Sequence, residues 1–200
     1  MSYSDFSLES VHKRFGLTLT ERVRLFSQVS DRPASHWLQE TLAYNLPLAL
    51  AINSEKARSE LIIAPILVEL KKQLSPDISL FSGVEFNVEL SLGLNGICDF
   101  LLSASPEQLW VTSPICVIVE AKKENLNGGL GQCIAEMFAA KLFNERQENP
   151  IAQIYGAVTT GNLWKFLRLE AQTVSIDLEE YAVNQVNHIL GILSTAFEQL

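Results

Sequence analysis

Two hundred residues, 48% of them hydrophobic and 19% charged, suffice for one compact domain with a substantial core and are too apolar for a disordered chain. Fifteen basic against 23 acidic residues give a net charge of −8, which argues against a broad basic face that grips phosphates. No stretch approaches the roughly 20 apolar residues of a membrane span, and Met1 to Asp5 has neither a basic region nor an apolar signal core, so a cytoplasmic protein is expected.

In chain order, the first fifty residues read as helices over Leu8–Phe15, Thr20–Ser27 and Ser35–Ala51, broken at Gly16 and at Asp31-Arg32-Pro33, with Thr20 and Ser35 as caps. Residues 1–53 are therefore expected to be a helical embellishment on a core formed by 54–200, within a single compact domain. Ser54–Leu74 carries Ile63, Leu67, Leu70 and Leu74 at helical spacing, capped by Ser54 and bent by Pro65. Its spacing from Ile63 and Leu67 puts Glu60 on the inward stripe and leaves Glu69 at the flank.

Strands follow at Ser79–Leu92, Gly96–Ser103, Leu109–Thr112 and Ile115–Lys122, separated by turns at Asn95-Gly96 and Ser105-Pro106. Glu85 and Glu89 alternate with apolar neighbours and read as a solvent face. A loop over Asn125–Gly129 leads to a helix over Leu130–Gln147, then strands over Ile151–Thr159 and Leu163–Leu169, and a last helix over Glu179–Gln199. The expected fold is α/β, a central mixed sheet flanked by helices, with Ile115–Val119 as a central strand covered on both faces.

Three charges interrupt this pattern. Asp99 lies within Ile97–Leu102, and Glu120-Ala121-Lys122 closes the run Ile115–Val119. Burying an unpaired charge is costly, so a bound cation or mutual pairing is the expected compensation. Along a strand Glu120 and Lys122 share one face, about 7 Å apart, and Asp99 on a neighbouring strand can approach Glu120. Two facing carboxylates suit a hard divalent ion such as magnesium. The alternative is a closed ion-pair network in which the two acids satisfy Lys122 and no ion binds.

Asp99, Glu120 and Lys122, with Glu60 on an upstream helix and Gln132 on the helix after the motif, resemble the PD-(D/E)XK nuclease superfamily, the restriction-endonuclease-like fold, over about residues 54–169. Cys98 stands where the name-giving proline would precede the first aspartate. The resemblance implies a hydrolase, a Mg2+- or Mn2+-dependent deoxyribonuclease. Asp99, Glu120 and the Ala121 backbone carbonyl would hold the metal, and Glu60 would add a ligand through water. Lys122 would stabilise the transition state electrostatically, and Gln132 would hydrogen-bond the attacking water or a phosphate.

Gly128, Gly129 and Gly131 would permit close backbone approach to a phosphate, although a plain loop and cap explains them as well. Nucleic acid, DNA foremost, is the implied partner. A homodimer is a further expectation, because cutting both strands takes two sites, and the stripe Val183, Val186, Ile189, Leu190 and Leu193 could serve it or pack on its own core. The alternative function is a weakly active or inactive nuclease-fold module that binds nucleic acid or regulates a partner. Cys98, Cys116 and Cys133 read as core residues, and the scattered His12, His36 and His188 give little support to a zinc site.

Overall fold

A computed structural model describes residues 1–74 and 77–198. The strands are β1 (Thr18–Val23), β2 (Ser79–Glu85), β3 (Ile97–Ser103), β4 (Ile115–Ala121), β5 (Gln153–Thr159), β6 (Leu163–Glu170), β7 (Thr173–Asp177) and β8 (Tyr181–Ala182). They form a mixed sheet in the order β1-β7-β6-β5-β4-β3-β2, with β8 paired to β6. The helices are α1 (Leu8–Phe15), α2 (His36–Ile52), α3 (Glu55–Arg58), α4 (Ala64–Leu74), α5 (Leu126–Arg146) and α6 (Val186–Thr195). The architecture is α/β, a mixed sheet flanked by helices.

Two apolar layers enclose the sheet. Ile118 and Ile115 face a core with Cys133, Ile134 and Met137 of α5 and Val11 of α1. Val117 and Val119 face a second core with Leu38 of α2, Ile66 and Leu70 of α4 and Leu190 and Leu193 of α6. β4 lies between them, buried at every residue, and this explains its continuous apolar run. It pairs antiparallel with β3 and parallel with β5, where Val119 faces Ala157 and Glu120 faces Val158.

The polar stretch expected as a helix over Thr20–Ser27 is β1, an edge strand parallel to β7, with Thr18 opposite Thr173. Residues 1–53 thus contribute a strand as well as helices. No strand forms over Leu109–Thr112, where Gln108 bonds both the N–H and the carbonyl of Leu80. The expected strand Ser79–Leu92 stops at Glu85. The last helix begins at Val186 rather than Glu179, and its expected end at Gln199 lies outside the described residues. Ile189, Leu190 and Leu193 of that helix are fully buried in the second core, so its stripe is consumed within the chain. Exposed large apolar residues of α2 are Trp37, Tyr44, Leu48, Leu50 and Ile52.

Between α3 and α4 the chain makes a π turn over Ser59–Ile63. Pro65 has no N–H to give Leu61, whose carbonyl accepts the Asn45 side-chain amide at 2.9 Å instead. The wider turn shifts the helix phase, and the expected roles of the two acids exchange. Glu69 is fully buried and accepts from the Ser35 N–H at 2.9 Å and the Ser35 hydroxyl at 2.8 Å, fixing the cap of α2. Glu60 is exposed instead of facing inward.

Helix α5 starts at Leu126, four residues earlier than expected, because Asn125 caps it by accepting from Gly128 N–H at 3.2 Å. The glycines are inside the helix and serve packing. A Cβ on Gly131 would overlap the Phe6 carbonyl and the Ser7 backbone, so the N-terminal segment lies directly on the helix. Gly131→Ala is expected to cost at least about 1–3 kcal/mol, read as a fall in the urea midpoint. An unchanged midpoint would mean that the segment around Phe6 yields freely.

Candidate functional site

The charged residues meet where β3 and β4 part. Their last paired positions are Phe100 and Val119, and the same register carried one step further sets Asp99 opposite Glu120. The N–H of Ala121 points toward β3 and finds the Asp99 carboxylate there, Oδ2 accepting at 2.8 Å. On its other side β4 continues to β5, with Lys122 N–H donating to the Thr159 carbonyl at 2.8 Å. Asp99 thus replaces the missing ladder partner and holds the strand end in place.

Lys122 Nζ donates to Glu120 Oε1 and, at 3.2 Å, to Gln132 Oε1 on α5. Gln132 Nε2 in turn donates to Glu136 Oε1 at 3.1 Å. Each end of the Gln132 amide thus makes one hydrogen bond within this chain, which leaves its second N–H for the expected bond to a water or phosphate. The stem of Lys122 runs over Gly129, where a Cβ would stand 3.1 Å from its Cγ and 2.7 Å from Val158 Cγ1. Gly129 gives the lysine its path across the sheet, a role the phosphate reading of these glycines did not include.

Glu136 is the residue that sequence reasoning missed. It is fully buried on α5, one turn beyond Gln132. The signal was present, a single acid in Cys133-Ile134-Ala135-Glu136-Met137-Phe138, and it is the pattern that marked Asp99. Glu120 Oε2 and Glu136 Oε2 are both buried without a hydrogen-bond partner. Three acids thus share the region with one lysine.

Burial, then the neighbouring Asp99, pushes the Glu120 carboxyl up to about 8 against the opposing pull of Lys122. Burial and then the charge of Glu120 push Glu136 well above the carboxylate range. Burial alone would lower the Lys122 ammonium. Glu120, Glu55 and Asp99 outweigh it and hold Lys122 above its usual value, so this residue stays charged and is unsuited to act as a base.

On the other side of Asp99 a cleft of about 260 Å³ opens, lined by Glu60, Ser59, Ser82, Gly83 and Ala121 among others. Glu60 lines it together with Asp99 and pairs with Lys56 at 3.3 Å, and Glu55 accepts from the Lys123 N–H at 3.1 Å. The six expected residues therefore fall on two connected sides. Asp99, Glu60 and Ala121 border the cleft, while Glu120, Lys122 and Gln132 form a hydrogen-bonded chain behind it.

The residues fit a divalent ion in one respect and fall short in another. The partnerless buried oxygen of Glu120 beside Asp99 is the donor a hard cation would satisfy, and magnesium is commonly held by only one or two carboxylates with water completing its shell. Among the described residues no group of three His, Cys, Asp or Glu side chains is placed to hold a metal. The expected ligands amount to two carboxylates and a backbone carbonyl. Against known proteins, the chain matches no family model, no curated protein and no solved structure.

A raised carboxyl pKa has a defined linkage. Because folded Glu120 titrates near 8 and an unfolded glutamate at about 4.3, its neutral form favours folding. That contribution is complete below the unfolded value and disappears as pH rises through about 8. The urea midpoint of the wild type is expected to fall more steeply than that of Glu120→Gln between about pH 5 and 8.5. Parallel curves would show that Glu120 carries no such proton.

Proposed function

We propose that the chain is a metal-dependent nuclease with a restriction-endonuclease-like core, hydrolysing phosphodiester bonds, with DNA as the favoured substrate. The observation that carries this reading is the pairing of Asp99 with a buried Glu120 whose second oxygen has no partner, beside a lysine held in its charged form. The order of β2, β3, β4, α5 and β5, with β4 and β5 parallel, supports it, since the acid and the acid-X-lysine sit on adjacent strands.

Asp99, Glu120 and the Ala121 carbonyl would hold a magnesium or manganese ion, with Glu60 reaching it through water from the cleft. Such an ion supplies an acidified water and offsets the negative charge that builds on the phosphoryl oxygens. Lys122 contributes a fixed positive charge for the same purpose, worth most where water is excluded. Gln132 keeps that charge in place. Glu60 and Ser59 line the space that a phosphate ester would enter.

Surface basic residues are largely engaged by acids, Lys13 by Glu9 at 2.6 Å and Arg24 by Glu179 at 3.2 Å. Affinity for nucleic acid is therefore expected to be modest, with a shallow salt dependence. Cleavage of both strands of a duplex takes two sites, which a homodimer would provide. No helix among the described residues is long and apolar enough to cross a membrane.

One observation favours the second reading, a binding or regulatory module without catalysis. Lys122 already bonds Glu120 and Gln132, so the network closes on its lysine without an ion. Manganese calorimetry separates the two, with heat expected for the wild type and lost in Glu120→Ala.

On circular and linear DNA and on RNA, cleavage with magnesium or manganese is expected to cease with chelator. Asp99→Ala and Lys122→Ala should each lower the rate by at least about 100-fold. Cleavage that survives both substitutions would place the chemistry elsewhere.

A further inference from the structure

A side-chain amide has two unlike ends, and which end faces Lys122 decides whether it attracts or repels an ammonium. Gln132 presents its carbonyl, Oε1 accepting from Lys122 Nζ at 3.2 Å, while its Nε2 donates to Glu136 at 3.1 Å. Rotating the amide by half a turn would set N–H groups against the ammonium and a carbonyl against the Glu136 oxygen, losing both bonds. Glu136 has no exposure to solvent, so its oxygen is a buried acceptor that favours this orientation of the amide.

We propose that Glu136 is a positioning residue that holds the Lys122 ammonium in place by fixing the Gln132 amide. The proposal rests on the reading of Asp99, Glu120 and Lys122 as the working groups of the site. The geometry gives each member one task. Gln132 and Glu136 are four residues apart on α5 and so lie on one face of consecutive turns. Gly129, one turn before, holds the lysine stem close to the same helix. The head of Lys122 is then steered from two directions, by Glu120 on its own strand and by Gln132 from the helix. Its side chain keeps 24% of its exposure, so the ammonium has room to move when the amide no longer holds it.

A carboxyl and a carboxamide both offer the carbonyl oxygen this role needs, and an alkyl group offers none. Glu136→Gln is therefore expected to preserve the orientation, and Glu136→Leu or Glu136→Met to release it. A purely space-filling role predicts instead that Glu136→Met, close to glutamate in volume, behaves like the wild type and like Glu136→Gln.

The test measures the rate at which an acylating reagent modifies each lysine of the folded full-length protein, read peptide by peptide by mass spectrometry, without metal or nucleic acid. Glu136→Leu, Glu136→Met and Gln132→Leu are expected to change the Lys122 rate in the same direction by about fivefold, the worth of one hydrogen bond. Lys56 and Lys123 should be unaffected, and Glu136→Gln should match the wild type. The proposal is overturned if Gln132→Leu alters Lys122 and both apolar Glu136 variants leave it unchanged, or if Glu136→Gln behaves like Glu136→Leu. Two apolar variants guard against one failing to fold. The readout needs no cleavage, so loss of the nuclease reading and loss of this proposal are separate results.

Discussion

Glu120 ends a strand that has no exposed residue, and the cost of placing its carboxyl there organises what surrounds it. A charge between two apolar cores must be neutralised, paired or balanced by an ion. Here Lys122 takes one oxygen, Asp99 stands across the strand gap, and the other oxygen has no partner. Burial also explains why the proton is held to about 8, a value no exposed glutamate reaches. The same desolvation strengthens every interaction in the chain from Lys122 to Glu136.

Two helical layers hold the two sides of this site, and each does so through a local irregularity. On the cleft side, the π turn over Ser59–Ile63 leaves Glu60 exposed at the cleft that Asp99 also lines, while Ile62 and Ile63 are buried in the second core. A regular helix with the same sequence would present a different residue, which is one way π turns come to mark functional positions. On the other side, Gly129 and Gly131 let α5 approach both the Lys122 stem and the N-terminal segment more closely than any residue with a Cβ allows. Asp99 links the sides, because its carboxylate holds the N–H of Ala121 between the two acids.

What the sequence revealed follows from which signals are local. Asp99 and Glu120 were legible because a charge in an apolar strand is conspicuous, and the flanking pattern of β4 placed it at the centre of the sheet. Glu136 obeys the same rule, yet an acid within a helix is ordinary, and only its full burial distinguishes it. The segment Thr18–Val23 gave no alternation because an edge strand exposes both faces, and its identity comes from pairing with β7, 155 residues later at the Thr18–Thr173 pair. Glu60 and Glu69 exchanged roles because spacing arguments assume 3.6 residues per turn, and the π turn violates that assumption. The early start of α5 was hidden for a related reason. Glycines read as loop formers are tolerated in a helix when close packing requires them.

The energetic balance of the network bears on why it exists. Three acids and a lysine in an apolar layer contribute less to folding than well-packed hydrophobic residues of similar volume would, since desolvation commonly exceeds the attraction regained. A merely structural ion pair would be most stable with each oxygen satisfied, and two oxygens here are not. One of these oxygens, on Glu120, lies near the strand end beside Asp99, and no other side-chain polar atom of β4 is without a partner. A Glu120 carboxyl that holds its proton only because it is buried, beside an open cleft with one cation fixed at its rear, is suited to a ligand that brings positive charge first, displacing that proton, and phosphate second. That order, ion before ester, is the physical content of the nuclease proposal, and it makes Asp99 and Glu120 the groups on which binding depends and Lys122 the group on which the rate depends.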